Sequence, residues 1–94
     1  MKFEWDEEKN KINQRKHDGI SFGMAVRVFL DEKRIERYDS KHSNANEERW
    51  NVIGMVHNVL FVVYTERGET IRLISARKAT KEETNEYFDG YDAR

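Results

Sequence analysis

The sequence predicts an α+β fold, a mostly antiparallel sheet with helices packed on it, in the order β-α-α-β-β-β-β-α. Three observations carry this expectation. From Arg49 to Lys78 the apolar pattern is strand-like and is interrupted only near His57-Asn58 and at Gly68, as in successive hairpins. Ahead of it, "SFGMAVRVFL" repeats apolar residues at helical spacing. Behind it, Thr80 followed by Glu83 has the form of a capping box.

Taken in order, a short first strand covers Lys2 to Trp5, and Asp6 then N-caps the stretch "DEEKNKINQRKH". Ile12 is its only aliphatic residue, so this helix does not owe its stability to a broad apolar stripe of its own. Glu7, Lys11 and Arg15 recur four residues apart with acid before base, the favourable order for a solvated face. Lys9, Asn13, Lys16 and His17 share another face that has no comparable acid partner. Gly19 ends the helix. Ser21 caps the next, whose core-facing residues are Phe22, Ala25, Val26 and Phe29. Residues 33 to 39 read as a polar edge strand, followed by the polar loop "SKHSNANEE". "RWNVIGMV" and "LFVVYTER" then form a hairpin, because His and Asn tolerate the left-handed conformation that a tight turn requires. Gly68 turns the chain into "TIRLISAR". Both "LFVVY" and "IRLIS" are apolar on two faces and therefore central. The closing helix packs through Tyr87, Phe88 and Tyr91. Helices on one face of the sheet are expected to leave the other partly open.

Ninety-four residues suit one domain, expected over residues 1–94. The absence of cysteine excludes a disulfide framework, a thiolate metal site and a thiol nucleophile. No segment approaches the roughly 20 apolar residues of a bilayer crossing, and the N-terminus lacks a signal peptide's apolar stretch. A soluble, cytoplasmic protein with no membrane partner is expected. A formal charge of -1 argues against whole-molecule attraction to nucleic acid, so any anion site has to be local. Charge is nevertheless segregated. Five cations stand against Glu69 between Arg67 and Lys81, and five acids stand against Arg94 from Glu82 onward.

Strict alternation on the last strand sends Ile71, Leu73, Ser75 and Arg77 one way and Arg72, Ile74, Ala76 and Lys78 the other. Arg72 and Arg77 are then expected to serve different sides of the sheet. The three histidines lie in different elements, and no paired-carboxylate or His-x-x-x-His pattern occurs, so neither a metal nor a cofactor is expected. What remains is a set of cations, a histidine and tyrosines on a small sheet. That inventory suits cleavage of RNA by its own 2′-hydroxyl, which needs alignment, stabilisation of added negative charge, and proton transfer. Arginine supplies bidentate, permanently charged donors, and lysine, histidine or tyrosine moves protons when its environment tunes it. Plainer readings compete. Arg77 can hold the strand end against an acid of the last helix, and Arg67 at a turn can be simply solvated. Lys16 and His17 sit where a helix dipole favours cations. A buried Tyr87 is by default a core residue with a satisfied hydroxyl. The same cations also suit a non-catalytic nucleic-acid- or protein-binding module.

Five stretches occur in fixed order: "FEWDEEKNKINQRKH", "ISFGMAV", "ERWNVIG", "VVYTER" and "IRLISARKATKEETNEY". With Trp5-Asp6, Lys16-His17 and Ile74-Ser75-Ala76-Arg77 they resemble the BrnT family, toxins of bacterial type II toxin–antitoxin pairs, over nearly the whole chain. The resemblance implies a RelE-like domain and an endoribonuclease that cleaves RNA and inhibits translation. It also implies neutralisation by a BrnA-type antitoxin with a ribbon-helix-helix DNA-binding domain, through which the complex reaches operator DNA. The matching polar positions are Lys9, Asn13, Lys16, His17, Arg49, Arg67, Arg72, Arg77 and Tyr87. Of these, Arg77 is expected to stabilise transition-state charge, and Lys16, His17 or Tyr87 to transfer protons, without a metal. Lys9, Asn13, Arg49, Arg67 and Arg72 are expected to bind RNA. One departure stands out: Lys-His-Gly is expected after the first helix, whereas here Asp18 separates His17 from Gly19. An acid beside His17 is expected to raise its pKa or shift its position.

Overall fold

In the computed structural model, which describes residues 1–90, a strand β1 (Lys2–Glu4) leads into helix α1 (Glu7–Lys16). A single-turn helix α2 (Phe22–Ala25) continues as a 3₁₀ helix over Val26–Leu30. Four strands follow, β2 (Ile35–Tyr38), β3 (Arg49–Val56), β4 (Asn58–Arg67) and β5 (Thr70–Lys78), and then helix α3 (Lys81–Asp89). The strands form one five-stranded sheet in the order β1-β5-β4-β3-β2. Only the β1–β5 pair is parallel. The α+β class and the element order are as expected.

Local chemistry accounts for the boundaries. The Asp6 carboxylate accepts from the N–H groups of Glu8 at 2.8 Å and Lys9 at 3.2 Å, opening α1. At α3, Thr80 and Glu83 complete a reciprocal capping box, with bonds of 2.8 and 3.1 Å. His57 alone, in the left-handed conformation with φ 63°, joins β3 to β4. Gly68, also with φ 63°, starts the two-residue turn between β4 and β5. The second helix is not α-helical throughout. Its tighter 3₁₀ continuation lays Val28 directly on β3, where a Cβ on Gly54 would lie 3.0 Å from Val28 Cβ and 3.2 Å from its carbonyl oxygen. Glycine at position 54 is what lets that close approach occur.

One face of the sheet carries the larger core. Val52, Val56, Leu60, Val62, Tyr64, Leu73 and Ala76 meet Ile20, Phe22, Ala25 and Val28 there. The helices are not confined to that face. Tyr87 of α3 packs on Ile53 and Val59, with Ile35, Met55 and Phe61 around it, so α3 covers part of the second face. Phe88 is 50% exposed rather than a core residue, and Tyr91 lies outside the described residues.

The polarity of α1 has a structural cause. Ile12, its aliphatic residue, is 40% exposed, and the buried positions are Asn10 and Asn13. Asn10 accepts from the Phe22 N–H at 2.8 Å and donates to Glu7 Oε1 at 2.9 Å. The Asn13 amide donates to the carbonyls of Ala76 at 2.8 Å and Ile20 at 2.9 Å, while its oxygen accepts from the Ala76 N–H at 3.1 Å. β1 pairs with β5 only from Thr70 to Arg72, so the rest of that side of β5 has no strand beside it. Asn13 answers both backbone groups of Ala76 there, and α1 is docked by amide hydrogen bonds instead of a hydrophobic stripe.

Candidate functional site

A bulge in β5 decides which side chains meet. Val63 pairs with Ser75 but Tyr64 pairs with Leu73, leaving Ile74 as the extra residue. An extra residue reverses the alternation beyond it. Arg72, Ser75 and Arg77, opposite Thr65, Val63 and Phe61, therefore occupy consecutive positions on one face. The expectation that Arg72 and Arg77 serve different sides is corrected by this single residue. Through Thr65 and Val63 the same face continues to Arg49 and Asn51 on β3 and, opposite Asn51, to Arg37 on β2. Arg67, two residues beyond Thr65, completes it.

Most of these guanidinium groups have carboxylate partners. Arg77 donates to both oxygens of Glu83, at 2.8 and 3.0 Å, and its guanidinium lies 4.1 Å over the Phe61 ring. The plainer reading of Arg77, a strand end tied to an acid of the last helix, is thus physically realised. Burial alone pushes the Glu83 carboxyl up. The hydrogen bond from Arg77, the Thr80 N–H and the Arg77 charge together outweigh burial and hold it below the ordinary carboxylate value. Arg72 pairs with Glu4 at 2.5 Å, Arg49 with Glu47 at 3.0 Å and Arg37 with Glu86 at 2.8 Å. Arg67 is exposed, with no side-chain hydrogen bond or ion pair among the described residues.

A second group of cations gathers where α1 meets the bulged edge of β5. Lys9, Ile12, Asn13, Lys16, His17, Ile74 and Ser75 line a recess of about 170 Å³. Lys9, Lys16 and His17 follow one another on the α1 face, as their spacing predicts, and their side chains have no hydrogen-bond or ion-pair partner among the described residues. The Asp18 carboxylate lies 3.9 Å from Lys78 Nζ, giving that acid a partner other than His17. Asp18 also takes up a left-handed φ of 52°, so the extra residue is absorbed in the turn after α1.

Two of the expected residues have structural partners within the fold. Asn13 was expected to bind RNA, but it is buried and its amide serves the backbones of Ala76 and Ile20. Tyr87 was expected to transfer protons, but it is 1% exposed and its hydroxyl donates to Asp31 Oδ2 at 2.5 Å, between α3 and the β3 end of the sheet. Asp31 is itself fixed there by the Met55 N–H at 2.8 Å. Sequence reasoning passed over Ser75 and Arg37. The adjacent apolar pair Leu73-Ile74, which breaks alternation in an otherwise regular strand, was the available signal for Ser75.

Among the described residues no group of three or more His, Cys, Asp or Glu side chains is arranged to hold a metal ion. No helix there is long and apolar enough to cross a membrane. Comparison with curated proteins finds no match. Among solved structures, the 1.1 Å crystal structure of the Brucella abortus ribonuclease toxin BrnT is similar at 27% sequence identity and a TM-score of 0.63. The similarity covers 86% of this chain and 99% of that one. The family model described as the ribonuclease toxin BrnT of type II toxin–antitoxin systems matches residues 5–83, and this chain therefore belongs to the BrnT toxin family.

Proposed function

We propose that this protein is a metal-independent endoribonuclease that cleaves RNA beside the recess between α1 and β5. The observation that carries this reading is the cluster of Lys9, Lys16 and His17, without side-chain partners among the described residues, opening next to a strand that carries Arg72 and Arg77 together on one face. In the reaction the RNA 2′-oxygen bonds to phosphorus while the bond from phosphorus to the 5′-oxygen breaks. One proton leaves the 2′-hydroxyl and one reaches the departing 5′-oxygen, so the products are a 2′,3′-cyclic phosphate and a 5′-hydroxyl. Lys16 and His17 supply these proton transfers, and Arg77 stabilises the added charge, its geometry set by Glu83 and Phe61. Lys9, Arg49, Arg67 and Arg72 hold flanking phosphates. The charge compensation that a divalent metal provides elsewhere comes here from guanidinium and ammonium groups.

A type II toxin works against a protein antitoxin, and the family therefore implies such a partner. We take it to be a BrnA-type protein with a ribbon-helix-helix domain, acting in the cytoplasm. It would block the RNA face and bring this single 94-residue domain to operator DNA. The test is incubation of the purified protein with RNA in excess chelator. Shortened fragments ending in 2′,3′-cyclic phosphate are expected. Strict dependence on added magnesium refutes the mechanism, and RNA retained but left intact supports a binding module instead.

A further inference from the structure

We propose that Ser75 is a phosphate-binding residue of this enzyme, its hydroxyl donating to a non-bridging oxygen of the scissile group. The inference rests on the RNA-cleaving reading and identifies the point at which the two cation groups converge. Ser75 lines the α1 recess together with Lys9, Lys16 and His17. Because of the Ile74 bulge it also stands between Arg72 and Arg77 on the sheet face. Neighbouring positions on one face of a strand are about 7 Å apart, so Arg72, held by Glu4, and Arg77, held by Glu83, flank Ser75 on that face.

Three further features favour a ligand role over simple packing. Ser75 is half-buried, yet its hydroxyl has no hydrogen-bond partner among the described residues. An accessible hydroxyl that no protein group engages is free to donate to a phosphate oxygen. The recess, about 170 Å³, is smaller than the roughly 300 Å³ at which small-molecule pockets begin. It suits one phosphate group rather than a whole nucleoside. Finally, the backbone on either side of Ser75 is fixed. The Ile74 bulge precedes it, and Asn13 holds the N–H and carbonyl of Ala76 after it. A donor held in place before substrate arrives stabilises developing charge without reorganising. The hydroxyl keeps its own proton throughout, so the proton transfers assigned above are unchanged.

Ser75→Ala and Ser75→Thr separate the roles, since threonine keeps the hydroxyl and is well suited to a strand. Steady-state cleavage of a short RNA by the wild type and both variants is the measurement, with thermal unfolding run in parallel. Loss of one such donor is expected to lower kcat by about 10²-fold with KM changed less than about twofold. Threonine should restore most of it, and the unfolding temperatures should match. Wild-type kcat in Ser75→Ala, or equal loss in both variants, overturns the assignment of Ser75 while leaving the ribonuclease reading intact. Absence of cleavage by the wild type overturns both.

Discussion

Replacing Asn13 with alanine tests whether α1 is held by amide hydrogen bonds. Truncation leaves three groups without partners: the N–H and carbonyl of Ala76, which is fully buried, and the carbonyl of Ile20, which is 4% exposed. A buried backbone group left unpaired costs about 1–3 kcal/mol, so even the lower figure gives a total near 3 kcal/mol. A domain of this length has a total stability of about 5–14 kcal/mol, of which that loss is a large part. At about 4–8 °C per kcal/mol, the unfolding midpoint should fall by about 12 °C or more. Urea unfolding followed by tryptophan fluorescence measures the change, with Lys9→Ala, on the same helix and exposed, as the control expected within about 0.5 kcal/mol of wild type. A loss below about 1 kcal/mol for Asn13→Ala refutes the reasoning, because the three bonds would then be replaceable by water.

The remaining predictions concern Arg77 and Glu83. Arg77→Ala is expected to reduce RNA cleavage by about 10²–10³-fold and to abolish growth inhibition in cells, while circular dichroism shows an intact fold; a folded and equally toxic variant removes Arg77 from the site. The carboxyl of Glu83 titrates lower in the folded chain than its ordinary value of 4.5, so its ionised form favours folding. That contribution is fully present above about pH 4.5 and fades as pH falls through the lowered folded value. Glu83→Gln retains the capping-box hydrogen bonds, since glutamine serves equally at that position, but removes the charge. Unfolding midpoints measured from pH 6 downward should therefore fall less steeply for Glu83→Gln than for the wild type, and parallel curves would contradict the ion pair's role.

Much of the fold was legible because local chemistry and tertiary structure agree. Asp6, the Thr80–Glu83 box, Gly68 and the His57 turn each satisfy a backbone requirement that can be read from one or two residues. Two features were not legible, for different reasons. Alternation assumes one residue per position, and nothing in "IRLIS" but the pair Leu73-Ile74 hints that a residue is extruded, although that residue decides which arginines share a face. Burial of Asn10 and Asn13 runs against the rule that helices dock by apolar stripes, so the stripe of Lys9, Asn13, Lys16 and His17 reads as an RNA-facing surface throughout. Three of the four residues on that stripe turn outward. Lys9, Lys16 and His17 do line a common recess, whereas Asn13 forms its inner wall and faces the protein's own backbone. Tyr87 illustrates a third limit: its partner Asp31 is 56 residues away, and no local pattern announces such a contact.

The amide that closes the side of β5 also bears on how copies of this protein behave together. A strand with unanswered N–H and carbonyl groups templates addition of another chain, the first step towards aggregates. Proteins often blunt such margins with proline, and this chain contains none. Here Asn13 occupies both hydrogen-bonding groups of Ala76, so a foreign strand arriving at that margin finds this rung of the ladder already taken.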